Sequence, residues 1–275
     1  MRKTVLLLAI GAVLGLPAAQ QDRYLDIMTV KVKTDKRADF EAITKRIAEA
    51  NRNHNGDQWL AVDTAYGELN TVSFISPRAD LAAVERGMGA FMSAVNKSLG
   101  AAGADKLFRQ FGETAGEMRA EIRLRRWDLS SSVPSDAAGY AKLVGATRWI
   151  GTTTVRIKPG RALDYEEQLR AIKKAAEAGE NPMTILVSQS VAGGGTAYYL
   201  SILTPAFGDF EKIVPLRKLL GEDAFLKYVR VVSDVSTAVE TAVYRVLPEL
   251  SVLPREVTDV APDFWKPKPA ARPAK

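Results

Sequence analysis

Cysteine is missing from all 275 residues, and histidine occurs once, at position 54. Without thiols the chain forms no disulfide, carries no lipid on an N-terminal cysteine and lacks thiolate metal ligands. A single imidazole leaves too few ligands for a tetrahedral transition-metal site. It also leaves Ser73 and Ser201, at equivalent positions of two predicted strands, with no histidine to activate them, which excludes a Ser–His triad. No apolar run reaches the roughly 20 residues a membrane span needs, and residues 5–16 fall short of it. A large excess of one charge is missing too. The formal net charge is +6, but Arg2, Lys3 and the basic excess from Arg255 onward account for most of it. The body is close to neutral, which excludes the clustered basic face that nucleic acid requires.

What is present begins with the three parts of a secretory signal. Arg2 and Lys3 precede the apolar run 5–16, and small residues at 17–19 suit cleavage near Ala19 or Gln20. Residues 1–20 are therefore expected to be a removed signal peptide, and the mature protein to be exported to the periplasm or beyond the cell.

The rest of the chain is organised by a duplication. Segment 30–41 (VKVKTDKRADFE) recurs without a gap as 155–166 (VRIKPGRALDYE), and 72–77 (VSFISP) recurs as 200–205 (LSILTP). In the first copy, alternating residues predict a strand over 26–33. Phe40, Ile43, Ile47 and Ala50 form one apolar stripe of a helix over 36–52. Strands follow over 58–64 and 71–76, where Pro77 is a stop signal. Two helices come next, one from Leu81 to Leu99 and one carrying Leu107, Phe108, Phe111 and Met118, parted by a Gly/Ala-rich break at 100–103. A strand over 120–127 closes the copy. The second copy predicts strands over 149–158, 183–190, 198–203 and 241–247, with helices over 161–178 and within 209–235. Each half is then β-α-β-β-α-β, the order of a ferredoxin-like unit.

The expected domains are a first repeat over 22–134, a linker over 135–147 with a short helix near 137–143, and a second repeat over 148–254. A Pro/Lys-rich tail over 255–275 is expected to be disordered, with Phe264 and Trp265 able to pin its start. Strands at 183–187 and 198–203 are apolar at successive positions, which predicts burial on both faces. The expected fold is α+β: two tandem ferredoxin-like repeats whose open sheet faces pack together as a pseudo-dimer within one chain. A pseudo-dimer satisfies both open faces, so a monomer is expected.

The strand, Lys-Pro-Gly-Arg turn and acidic-aromatic helix start at 155–166 resemble the dimeric α+β barrel superfamily. The first copy departs by having Thr34-Asp35 where the second has Pro159-Gly160. That superfamily includes cofactor-free monooxygenases, haem-binding and haem-degrading proteins, isomerases and binding proteins, so the resemblance implies a fold and several functions.

Individual residues carry less. His54 sits between two asparagines at a predicted helix end, where a cation complements the helix dipole; its functional alternative is a haem ligand or general base. The duplicated acids Asp39/Asp164 and Glu41/Glu166 fall in first helical turns, a structural position. Gly193-Gly194-Gly195 joins two strands and is followed by no lysine, so it reads as a turn and not a phosphate loop. Trp59, Trp149, Tyr198 and Tyr199 lie on predicted strands and can either fill the core or line a cavity between the sheets. With His54 they are the candidate ligand-binding residues; no catalytic residue and no metal ligand is assigned. The leading expectation is an exported protein without a recognisable catalytic site, binding a small apolar or aromatic ligand or an envelope partner, and without a cofactor. The alternative is a cofactor-free monooxygenase or haem-related enzyme. A third reading is a structural envelope protein whose Pro/Lys tail contacts acidic polymers.

Overall fold

The computed structural model describes residues 22–178 and 184–266. The predicted signal peptide, the first residue of the predicted 183–190 strand and tail residues 267–275 lie outside the described residues.

The order is β1 (Tyr24–Val32), α1 (Arg37–Asn53), β2 (Leu60–Tyr66), β3 (Thr71–Arg78), α2 (Ala82–Thr114) and β4 (Ala115–Arg125). Then come α3 (Ala137–Ala146), β5 (Trp149–Ile157), α4 (Ala162–Ala178), β6 (Leu186–Ala192) and β7 (Ala197–Thr204). The chain continues through α5 (Leu216–Leu220), α6 (Glu222–Val235), β8 (Ser236–Val246), α7 (Arg255–Thr258) and α8 (Pro262–Trp265).

All eight strands join in one closed antiparallel barrel in the order β1-β3-β2-β8-β5-β7-β6-β4. This corrects the expectation of two tandem ferredoxin-like repeats with separate sheets packed face to face. The two halves are hydrogen-bonded to each other along two seams. In one, Val62 pairs with Val246 and Asp63 with Arg245. In the other, Arg123 pairs with Ser190 and Arg125 with Ser188. Stacked sheets bury their faces but leave edge strands with unpaired N–H and C=O groups, whereas closure removes those edges.

The strand pleat sends alternate side chains to opposite sides of the barrel wall. On β1, Leu25 and Ile27 line the interior, while Asp26 and Met28 face the helices, as do the buried Val30 and Val32. One outer core packs β1–β3 against α1 and α2, through Phe40, Ile47, Val72, Phe74, Val95 and Leu107. A second packs β5–β7 against α4 and α6, through Tyr165, Leu169, Tyr198 and Val232. Successive apolar residues in the strands follow from this burial on both sides. Within α2 two helices meet at a kink at Gly100 (φ 70°, ψ 163°), as the predicted break at 100–103 requires, but the second ends at Thr114 and Met118 lies on β4. A left-handed φ is accessible to glycine without Cβ strain, and it turns the helix there.

The linker forms α3, with Asp136 accepting from the Gly139 N–H at its start. The expectation of a disordered tail is corrected for its first part. Residues 255–258 and 262–265 are helical, and Trp265 is buried against Val62, Ile150 and Val246. Its indole N–H donates to the Gly145 carbonyl at 2.8 Å. Trp265 thus pins the start of the tail, as its ring allowed: a large apolar surface with one satisfied donor supplies the burial that the Pro/Lys composition lacks.

Candidate functional site

The fold leaves a cavity of about 330 Å³ between the outer wall of the first half-barrel and helices α1 and α2. Its walls are rings: Trp59 lies edge-on to Phe74 with centroids 6.4 Å apart, and tilted against Phe91 at 6.0 Å. Phe91 stacks on Phe108 at 5.9 Å, and Phe111 completes the lining. The Trp59 indole N–H donates to the Leu250 carbonyl at 2.7 Å, so Trp59 presents the cavity with ring surface and no free donor. Met28, Met88 and Met118 also line it and are exposed. Flexible thioethers at a rim adapt to planar guests of different outline.

The polar part of the lining comes from β3, β1 and the loop between α1 and β2. Arg78, the last residue of β3, is only 8% exposed. Its Nη1 and Nη2 donate to Oδ1 and Oδ2 of Asp57 at 2.6 and 2.7 Å, a bidentate pair. Nη2 and Nε also donate to Oδ2 of Asp26 on β1 at 3.1 and 3.4 Å. Burial works to lower the Arg78 pKa, but hydrogen bonds and charge from Asp57, then Asp26, outweigh it and hold the guanidinium above its ordinary value. Asp57 is fixed in turn by Asn51, whose Oδ1 accepts from the Asp57 N–H at 2.9 Å. Arg78 is accommodated because α2 carries glycine opposite it. A Cβ on Gly87 would lie 2.5 Å from Arg78 Nη1.

This arrangement is acceptor-rich. Two carboxylates share one guanidinium, and among the hydrogen bonds of the described residues Asp26 uses Oδ2 alone. Its Oδ1 is available to a proton or a hydroxyl on a guest.

The five sequence-derived candidates are dispersed. Trp59 lines the helix-side cavity. Tyr198 is fully buried on the outer face of the second half, where its hydroxyl donates to Glu166 Oε1 at 2.8 Å and its ring meets Tyr165 edge-on. Glu166 also pairs with Arg126. The hydrogen bond from Arg126, aided by Tyr198, holds the carboxyl below its ordinary value against the opposing effect of burial. Tyr199 belongs to the barrel interior, donating to Glu121 Oε1 at 2.6 Å with the Arg123 guanidinium 3.3 Å from its ring centroid. Trp149 packs edge-on to Phe207 at 5.1 Å and lines neither this cavity nor the barrel interior. His54 is exposed at the C-terminal end of α1, its N–H bonded to the Ala50 carbonyl. A histidine-ligated haem therefore does not fit these residues, because the imidazole lines neither this cavity nor the barrel interior. Among the described residues no group of three or more His, Cys, Asp or Glu is placed to hold a metal ion.

Sequence reading missed Arg78, Asp26 and Asp57. Pro77 looked like the end of a strand, whereas β3 continues through it to Arg78. The usable signal was Gly87, a helix-weakening residue inside the strongest apolar stripe, which marks a close approach.

No family model matches the chain, and no curated protein matches it by sequence. Solved structures do match in fold. An anthrone oxidase-like protein superposes with a TM-score of 0.52 at 14% identity, covering 84% of this chain and 93% of its own. A candidate monooxygenase from Fusobacterium nucleatum superposes with a TM-score of 0.51 at 13% identity, covering 82% and 92%. A mutant chlorite dismutase from Candidatus Nitrospira defluvii reaches 0.46 at 10% identity, covering 86% and 95%; a match at that level carries no argument for this chain. The chain shares its fold with the anthrone oxidase-like protein and the Fusobacterium protein. The leading expectation, a binding scaffold without a recognisable catalytic site, is corrected here. The neighbours on this fold carry oxidase and monooxygenase names, and the Arg78–Asp57–Asp26 group supplies the converging polar residues that the sequence concealed.

Proposed function

We propose that the chain is an oxygen-using enzyme of the cofactor-free oxidase or monooxygenase kind, acting on a small neutral aromatic substrate in the helix-side cavity. The observation that carries this reading is a buried guanidinium, Arg78, shared by two half-buried carboxylates, with Asp26 Oδ1 unbonded among the described residues, bordering a cavity walled by aromatic rings. The likeness in fold to an anthrone oxidase-like protein and a candidate monooxygenase supports it.

Oxygenation without a cofactor requires a substrate carbon that becomes electron-rich enough, on losing a proton, to reduce dioxygen itself. Asp26 is positioned to take that proton through Oδ1. The Arg78 charge then lies near the resulting enolate, in a site whose low polarity strengthens the attraction. The ring walls orient a planar substrate and exclude water. Two carboxylates against one guanidinium disfavour a substrate that arrives as an anion, so a neutral, weakly acidic compound is selected.

Anthrone is a suitable probe. Its methylene loses two hydrogens and gains a carbonyl oxygen, one dioxygen is consumed, and the second oxygen leaves with the hydrogens as water. Oxygen uptake and anthraquinone formation by the wild type above the buffer rate are expected. A general base contributes about 10²–10⁴-fold, so Asp26→Asn should lose most of that acceleration; because it also removes a charge paired with Arg78, the rates are compared at a temperature where circular dichroism shows both proteins folded. A wild-type protein that leaves anthrone and related phenolic anthrones at the buffer rate would defeat the proposal.

A further inference from the structure

The barrel interior holds a second cavity, of about 460 Å³, on the opposite side of the wall from Asp26 and Met28. Residues of α3 and α7, Tyr140, Ala141, Val144 and Val257, border it at one end. Its walls are largely aliphatic, with Leu25, Ile75, Ile150 and Leu203 among them.

Its cationic residues come from one stretch of chain. Arg123 and Arg125 alternate on β4, so the strand period turns both to the same side, and Trp127, in the turn just beyond β4, lines the same cavity. Arg123 donates through Nη2 to Glu121 at 2.8 Å, and Arg125 through Nη1 to the Tyr140 hydroxyl at 2.7 Å. Three further donors of these side chains, Arg123 Nε, Arg125 Nε and Trp127 Nε1, are buried with no hydrogen-bond partner among the described residues, the Arg123 guanidinium lying over the Tyr199 ring and that of Arg125 over the Trp127 and Tyr140 rings. Buried donors without acceptors are unfavourable, and clusters of them on one cavity wall mark a place where an acceptor belongs. Glu121 balances the charge of Arg123, whereas Arg125 makes no ion pair among the described residues. Asp22 and the exposed Glu256 also border the cavity; their charge disfavours a multiply charged anion and leaves a single carboxylate as the matching head group.

We propose that the barrel interior binds a monocarboxylate with an apolar body, its oxygens accepting from Arg125, Trp127 and Arg123 and its body lying against the aliphatic walls. This site is separate from the helix-side cavity and does not depend on the oxidase reading.

Calorimetric titration of the full chain with decanoate, and with decanol as the neutral counterpart, tests it. Saturable one-site binding of decanoate is expected, with decanol at least about tenfold weaker, as loss of a charge-assisted hydrogen bond implies. Arg125→Gln should weaken decanoate by about tenfold or more. Trp127→Phe keeps the ring, removes one donor, and should weaken it several-fold, which guards against a folding defect in the arginine variant. Asp26→Asn, across the wall, should leave binding unchanged. No saturable binding, equal binding of decanol, or variants indistinguishable from wild type would overturn the proposal. Loss of binding in Asp26→Asn would overturn it as well, by moving the ligand to the other cavity.

Discussion

Gly87 and Gly89 sit two residues apart in α2, and replacing each with alanine should move stability in opposite directions. Helix propensity alone favours alanine at both by up to about 1 kcal/mol. Gly89 is exposed, and a Cβ there meets nothing within 4 Å, so Gly89→Ala should gain most of that amount. Gly87 is buried, and its added Cβ would lie 2.5 Å from Nη1 and 2.7 Å from Cζ of Arg78. The end of a free arginine would swing aside at little cost. This one is held by two hydrogen bonds to Asp57 and two to Asp26, and each bond to a charged group is worth about 1.5–3 kcal/mol. Losing the equivalent of one or two of them outweighs the propensity gain, so Gly87→Ala should destabilise by about 1–3 kcal/mol. Urea unfolding of both variants measures the difference, with an unchanged m-value confirming that only stability moved. If Gly87→Ala stabilises as much as Gly89→Ala, the guanidinium is not fixed, and the geometry assigned to Arg78 is wrong.

Two other perturbations probe the interior. Trp265→Ala removes a buried ring and its hydrogen bond to Gly145, which should cost about 3–5 kcal/mol and lower Tm by roughly 6–20 °C, read by calorimetry. The Glu121–Tyr199 pair should shape both pH limits of stability. Burial works to raise the Glu121 pKa, but Arg123 chiefly, with help from Tyr199, holds it below the ordinary carboxyl value. Its stabilisation is present above the unfolded pKa and is lost as pH falls through the folded one. Tyr199 is pushed up to about 12 by burial and by Glu121, against the charge of Arg123, so its contribution is intact below the unfolded pKa and fades as pH rises from about 10 toward about 12. Glu121→Gln should flatten the acid limb and Tyr199→Phe the alkaline limb in denaturant midpoints taken against pH; unchanged limbs would refute the coupling.

The order of strands and helices was legible because alternation and the 3.6-residue stripe reflect side chains that must choose between core and water. Barrel closure was not, because the seams are made by backbone groups that every residue has: nothing about Val62 or Arg123 as residue types names Val246 or Ser190 as a partner. Trp59 was recognisable as a cavity aromatic, although its cavity lies outside the barrel wall and not between two sheets. Tyr198 and Tyr199 are adjacent in sequence, so the pleat necessarily sends them to different compartments, and one cavity could never have held both. Arg78 escaped notice because a charged residue just after a proline looks like solvent-facing loop, and its two partners, Asp26 and Asp57, are distant in sequence. In the basic tail, composition pointed to disorder while the rings at 264 and 265 pointed to docking, and the single buried ring of Trp265 decided the outcome.

Closure also imposes an order on folding. β2 is complete by Tyr66, yet its outer neighbour is β8, which begins at Ser236. Pairings between segments so far apart carry a large loop-closure cost and form late. Until they form, β2 presents a bare row of backbone donors and acceptors to any other strand, including that of another nascent chain. The most vulnerable species of this protein is therefore the unclosed barrel, and β8, the last barrel strand among the described residues, acts as its latch.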